Sequence, residues 1–198
     1  MKSKKFLFTI IFPLILITKC AFIDVKLEPK FVKRSSAQIN HGSGEKIYIN
    51  KIINLDHPSV RGIVKNIYGM EIAKVYTDRT PQEILRSNLE SELLNNGYTT
   101  VNKSEECDIS IDIYIHQFFT EANPGVIVTY WGVVDSDIFA KISNSNKYYE
   151  RRIQGVGKNS SSSFFVNEQR KVATEMAIED FIIKTINSIS DLKKEVQK

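Results

Sequence analysis

Residues 108–119 read DISIDIYIHQFF, a stretch in which apolar and polar side chains alternate. Ile109, Ile111, Ile113 and Ile115 fall on one side of an extended chain; Asp108, Ser110, Asp112, Tyr114 and His116 fall on the other. A period of two is a β-strand with one dry and one wet face. Such a half-solvated strand belongs to an antiparallel sheet covered on one side only. Pro124-Gly125 then marks a turn. Residues 126–142 and 147–156 read as two further strands, joined by Ser143-Asn144-Ser145-Asn146. The three strands form a meander, with Gly132 expected to mark a bulge or bend in the second.

Two helices are available to cover the dry face. Thr80 as N-cap, Pro81 at the first helical position and Glu83 three residues after the cap form a capping box. Ile84, Leu85, Leu89 and Leu93 line one side of the helix this opens, and Gly97 closes it. A longer helix from about residue 166 to 194 carries Val172, Met176, Ile178, Ile182, Ile183, Ile186 and Ile189. Upstream, 46–53 reads as a strand through Ile47, Ile49 and Ile53, and 22–27 and 71–75 as short ones. The remainder of 54–78 is expected to loop over the domain's edge, and Lys158–Ser163 (KNSSSS) to be a flexible loop. The predicted fold is α+β, a mostly antiparallel sheet with two helices packed on one face, a two-layer sandwich.

The formal charge of +4 and a sequence pI near 8.9 suggest a polyanion partner. The distribution of charge argues otherwise. Lys2, Lys4, Lys5 and Lys19 lie in the first 19 residues, which hold no acid; without them basic and acidic residues are equal at 23 each. A domain with no cationic surplus lacks what phosphate binding requires, so no nucleic-acid partner is expected. The basic start, followed by the apolar run at 6–18 (FLFTIIFPLILIT), has the form of an export signal. As a helix that run spans roughly 20 Å, short of a hydrocarbon core of about 30 Å, and Pro13 interrupts it.

The run ends at Leu16-Ile17-Thr18-Lys19-Cys20, which resembles the lipobox of bacterial lipoproteins. The resemblance implies cleavage before Cys20, diacylglycerol on its thiol and acylation of the new N-terminus. More than one acyl chain gives stable membrane anchoring. Lys19 stands where that family has a small residue. Simple cleavage to a soluble protein and an uncleaved signal anchor are the alternatives. The expected organisation is a signal peptide at 1–19, a lipidated N-terminus and tether at 20–44, and one globular domain at 45–198. The second cysteine, Cys107, reads as a small semi-buried hydrophobe, and a Cys20–Cys107 bridge is the competing account.

Chemistry-bearing patterns are sparse. There is no GxSxG elbow, and Gly42-Ser43-Gly44-Glu45-Lys46 lacks phosphate-loop spacing. His41, His57 and His116 are scattered, while Asp108, Asp112 and His116 stand roughly 13 Å apart along one strand face. Asp112 with Asp135 or Asp137 is the one carboxylate grouping for acid–base work. The expectation is therefore no catalytic residue, no metal and no cofactor. An aromatic cluster, Phe118, Phe119, Tyr130 and Trp131, is either core or a partner surface, to which Tyr148-Tyr149 and Arg151-Arg152 could add.

From about residue 46 to 189 the pattern is similar to the YajG-like family of bacterial lipoproteins. The likeness is carried by the lipobox cysteine, Asp56-His57-Pro58, the segment near Tyr68-Gly69, and Leu93-Leu94-Asn95-Asn96-Gly97-Tyr98. It continues through the 108–119 strand, Gly155, and Ala173, Met176 and Ala177 of the last helix. The resemblance implies an envelope lipoprotein and supplies no active-site positions. Ala21, where an aspartate would signal inner-membrane retention, points to the outer membrane, periplasmic face. The function expected is a non-catalytic accessory or binding role with an envelope protein partner. A surface-exposed adhesin-like lipoprotein and an envelope hydrolase are the alternatives.

Overall fold

A computed structural model of the chain describes residues 24–56, 60–66, 68–125, 127–143, 148–162 and 167–196. The expected export signal, Cys20, His57-Pro58 and the turn residues 144–146 lie outside them. In chain order the elements are β1 (Val25–Leu27), β2 (Lys46–Asn54), β3 (Gly62–Lys65), β4 (Glu71–Thr77), α1 (Pro81–Asn95) and β5 (Thr99–Thr100). A short 3-10 turn (Ser104–Glu106) leads into β6 (Ile109–Asn123), β7 (Val128–Ile142), β8 (Tyr148–Ser161) and α2 (Asn167–Val196).

β6, β7 and β8 form the antiparallel meander that the alternation predicts. The opposite edge of β6 is shared. Its first half takes β2 in parallel, from Ile47 opposite Ile109 to Asn54 opposite Ile115. Its second half takes β3 in parallel, with Gly62 opposite Thr120. β5 lies outside β2, and β4 then β1 outside β3, completing one eight-stranded sheet. At the fork, Leu55 N–H donates to Ile115 O at 2.8 Å, Asp56 Oδ2 accepts from Phe118 N at 2.9 Å, and Arg61 O accepts from Thr120 N at 2.7 Å. The main-chain groups that β2 leaves behind are thereby satisfied before β3 takes over. The loop expected across 54–78 is thus partly the β3–β4 hairpin, whose first strand is too short to show alternation.

Both helices cover the same face. The capping box at α1 forms as predicted: Thr80 Oγ1 accepts from Glu83 N, and Glu83 Oε2 accepts from Thr80 N at 2.8 Å. Ile84, Leu85, Leu89 and Leu93 meet Ile47, Ile49 and the four isoleucines of β6 in one core, which Ala177, Ile178, Phe181, Ile182, Ile186 and Ile189 of α2 complete. α2 sits on β7 and β8 at very short range. A Cβ at Gly132 would lie 2.6 Å from Ala173 O, at Gly157 2.0 Å from the same oxygen, and at Gly155 2.2 Å from Ala177 O. Gly132 and Gly157 are cross-strand partners, in a register that runs without a shift from Val128 to Lys141. Gly132 therefore marks no bulge or bend; it makes room for helix backbone. The one irregularity between β6 and β7 falls at Ile115–Gln117.

β8 is longer than expected. Lys158–Ser161 pairs with Trp131–Val128, so four of the six residues of that stretch are strand. Main-chain pairing to β7 holds it there whatever its side chains prefer. α2 also reaches the free edge of β8: Asp180 Oδ2 accepts from Val156 N at 3.0 Å, and Lys184 Nζ donates to Gln154 O at 2.8 Å and to Asp180 at 2.7 Å. An i, i+4 ion pair thus occupies edge groups that could otherwise template another strand.

The segment before β2, expected as a tether, is strapped to the domain from Asp24 onward. β1 pairs with β4, and the following chain runs along α2. Lys30 N donates to Glu175 Oε1, Arg34 N and Ser35 N to Glu179 Oε1 at 2.6 and 2.7 Å, and Asn40 N to Asn187 Oδ1 at 2.8 Å. Arg34 Nη2 closes a salt bridge to Glu175 at 2.5 Å. Glu175 and Glu179 are each only 3% exposed. These buried carboxylates accept main-chain hydrogen bonds from a chain with no strand partner, which sequence periodicity cannot reveal.

Three substitutions test this packing. Gly157→Val should destabilise the domain by about 3 kcal/mol in urea unfolding. Gly125→Ala, whose Cβ would meet only Ile127 O at 3.3 Å, should stay within about 0.5 kcal/mol. Glu179→Ala should cost about 2 kcal/mol and open Lys33 and Arg34 to trypsin at rates that leave the wild type intact.

Candidate functional site

Among the described residues no element covers the face of the meander away from the helices, and the register orders it into cross-strand rungs. Along the sheet these are Asp112–Phe139–Glu150, Tyr114–Asp137–Arg152, Gln117–Asp135–Gln154, Phe119–Val133–Val156 and Glu121–Trp131–Lys158. The first rungs are knitted by charge. Lys51 Nζ lies 3.5 Å from Asp112 Oδ2 and 5.2 Å from the centre of the Tyr114 ring, which meets Phe139 edge-on at 5.4 Å. His116 Nε2 and Asp137 Oδ2 are 2.6 Å apart. Arg152 donates to both oxygens of Asp135, at 3.0 and 2.6 Å.

The fourth rung is wholly apolar. Phe119 and Val133 are half-buried and Val156 is 39% exposed. Trp131, 37% exposed, flanks this row, and Lys158 Nζ sits 5.0 Å over its ring. Aromatic and aliphatic surface bordered by Arg and Lys is the composition of an interface centre and its rim.

Strand alternation divides the predicted aromatic cluster. Phe119 and Trp131 lie one rung apart on the open face, whereas Phe118 and Tyr130 are buried on the helix side, at 1% and 2% exposure. The bulge at Ile115–Gln117 decides this, because one extra residue inverts the side-chain order downstream. Without it Phe118 would face out and Phe119 in. Tyr130 packs with Val128 and Ala173, under the buried Arg170, whose guanidinium donates to Thr120 O at 3.3 Å. Burial pushes the Arg170 pKa down. Tyr148-Tyr149 and Arg151-Arg152 are split likewise: Arg152 joins the open face, and Arg151 donates to Ser188 Oγ at 3.0 Å on the helix side.

The carboxylates do not converge. Asp112, Asp135 and Asp137 are engaged by Lys51, Arg152 and His116 respectively. Among the described residues no group of three His, Cys, Asp or Glu side chains is placed to hold a metal ion, and no helix is long and apolar enough to cross a membrane. Cys107 is buried, its thiol 3.1 Å from Ser104 O and 3.3 Å from Ser143 Oγ. An open groove of about 510 Å³, lined by Arg151, Arg152, Gln154, Lys184, Asn187 and Ser188, follows the free edge of β8. Only the meeting of β8 with α2 creates it, and no sequence spacing signals it.

No protein-family model matches the chain, and no curated protein matches it in sequence. Among solved structures it is similar to a DUF330 protein from Xanthomonas campestris, at 10% identity and a TM-score of 0.61, over 89% of this chain and 100% of that one. A minor lipoprotein from Acinetobacter baumannii aligns at 11% identity and a TM-score of 0.45, over 75% of this chain and 94% of that one. The first likeness establishes a shared fold.

The hydrogen-bonded Arg152 guanidinium holds the Asp135 carboxyl below its usual range, against the opposing effect of its own burial. Such a group adds stability above the unfolded aspartate value of about 3.9, and this is lost as pH falls through the lower folded value. Urea midpoints across a pH series should therefore fall below about pH 4 more steeply in the wild type than in Asp135→Asn.

Proposed function

We propose that the chain is an outer-membrane lipoprotein, anchored through acylated Cys20 with its domain on the periplasmic side, that binds an envelope protein partner without catalysis. The observation that carries the binding role is the apolar rung Phe119–Val133–Val156 beside Trp131, on a sheet face that neither helix covers. Support for the anchor comes from the lipobox pattern at Leu16–Cys20 and the likeness to YajG-like lipoproteins. The non-catalytic reading is favoured because Asp112, Asp135 and Asp137 each sit against a basic side chain. Asp135, whose carboxyl Arg152 holds below its usual range, is a poor general acid.

Intact-mass analysis of the N-terminal peptide from membranes should find acyl chains on Cys20, and Cys20→Ala should lose them together with membrane retention. A photo-crosslinking residue at position 131, in intact cells, should give a discrete envelope-protein adduct that Val156→Lys removes. The same probe at position 148 should give none. An unmodified Cys20 contradicts the anchor, and identical labelling from 131 and 148 contradicts the binding face.

A further inference from the structure

Three large apolar side chains, Tyr68, Met70 and Ile127, are 80%, 59% and 61% exposed, and strand register places all three at one end of the domain. β3 is parallel to β6 with Ile63 opposite Glu121. Two residues further on, Lys65 comes level with Asn123, and Lys65 Nζ lies 3.0 Å from Glu121 Oε1. The β3–β4 and β6–β7 turns therefore leave the sheet side by side.

The first described strand also starts toward that end. β1 is parallel to β4 with Val25 opposite Val75, and Asp24 Oδ1 accepts from Lys74 N at 2.9 Å. Asp24, the first described residue, therefore lies on the side where β4 begins at Glu71, next to the turn that carries Tyr68 and Met70. Asp24 lies four positions after Cys20, a reach of at most about 14 Å. The run of β4 from Lys74 back to Met70 covers about 13 Å. The two lengths match.

The β3–β4 turn is built to hold its side chains outward. The Asn66 carboxamide oxygen accepts from both Tyr68 N and Met70 N, at 2.9 and 3.0 Å. Asn66 N donates to Met70 O, and Gly69, at φ +80°, closes the turn back onto Asn66 O. Positive φ is a conformation glycine adopts freely. Charge around the turns shows no cationic surplus: Lys65 is paired with Glu121, and Lys74, whose main-chain N–H donates to Asp24, follows Glu71 by three positions. Anionic lipid therefore gains no electrostatic advantage there. What remains are Tyr, Met and Ile, side chains that partition into the headgroup–acyl boundary.

We infer that these two turns seat the domain directly on the phospholipid bilayer, with Tyr68, Met70 and Ile127 entering the interface of the leaflet that holds Cys20. The inference rests on the acylation proposed above. The test uses the full acylated chain in phosphatidylcholine vesicles, with nitroxide labels at Met70→Cys, Ile127→Cys and, at the opposite end of the meander, Tyr148→Cys. Labels at 70 and 127 should show at least fivefold less collision with an aqueous nickel chelate than the label at 148, together with greater access to oxygen. Equal aqueous access at all three sites, with acyl chains confirmed on Cys20 by mass, overturns the docking and leaves the anchor standing. Shielded labels on a chain whose Cys20 carries no lipid uphold the docking and overturn the anchor. Exposed labels on an unacylated chain overturn both. The labelled positions are exposed, so unchanged urea midpoints verify that each variant is folded.

Discussion

The seating of α2 on glycine fixes the distance between the two layers. Where Gly132, Gly155 and Gly157 stand, helix backbone occupies the space a methyl group would need. This close approach brings Ala173, Ala177 and Phe181 into the sheet and sets the height at which Ile178, Ile182 and Ile186 meet the isoleucines of β6. It also allows short side chains to span from helix to sheet edge, as Asp180 does to Val156 N. The layer spacing, the core and the protection of β8 are consequences of one packing condition.

The elements with a strong period were legible in sequence. The alternation at 108–119, the capping box at Thr80 and the aliphatic stripe of α2 each reflect a local rule that tertiary packing reinforces. The fork on β6 was not legible, because β3 is four residues long and its partners on β6 are 58 positions away. Nor was the strap over α2, which is fixed by Glu175 and Glu179 receiving main-chain N–H groups. A glutamate on a helix reads as a solvated charge; only the chain laid over it makes it a buried acceptor. Gly132 is the instructive case. A glycine in a strand signals either a kink or a close approach, and the choice depends on a helix 40 residues downstream.

The candidate site was half visible. Phe119 and Trp131 occupy the open face, and their neighbours Phe118 and Tyr130 are core; on β6 the side each phenylalanine takes is set by one inserted residue near His116. No composition rule locates such a bulge, which falls where β2 gives way to β3 along the far edge of β6. The partners of the open face, Val133 and Val156, become visible only once cross-strand register is known. The surface that results is ordered: matched charges at one end, an aliphatic and aromatic row toward the other, and Lys158 laid over the indole at its margin.

The strap also determines how the domain bears load. A pull on the N-terminus along β1, toward the end where β4 begins, strains its register pairs with Val75, Tyr76 and Thr77 lengthwise, so that they share the force instead of parting one by one. Behind them, the main-chain bonds at Glu175 and Glu179 form a second stop, and Asn40 on Asn187 a third. The domain is thus tied first at the sheet edge, through β4, and then at successive points along its longest helix, so the load is divided between the two layers.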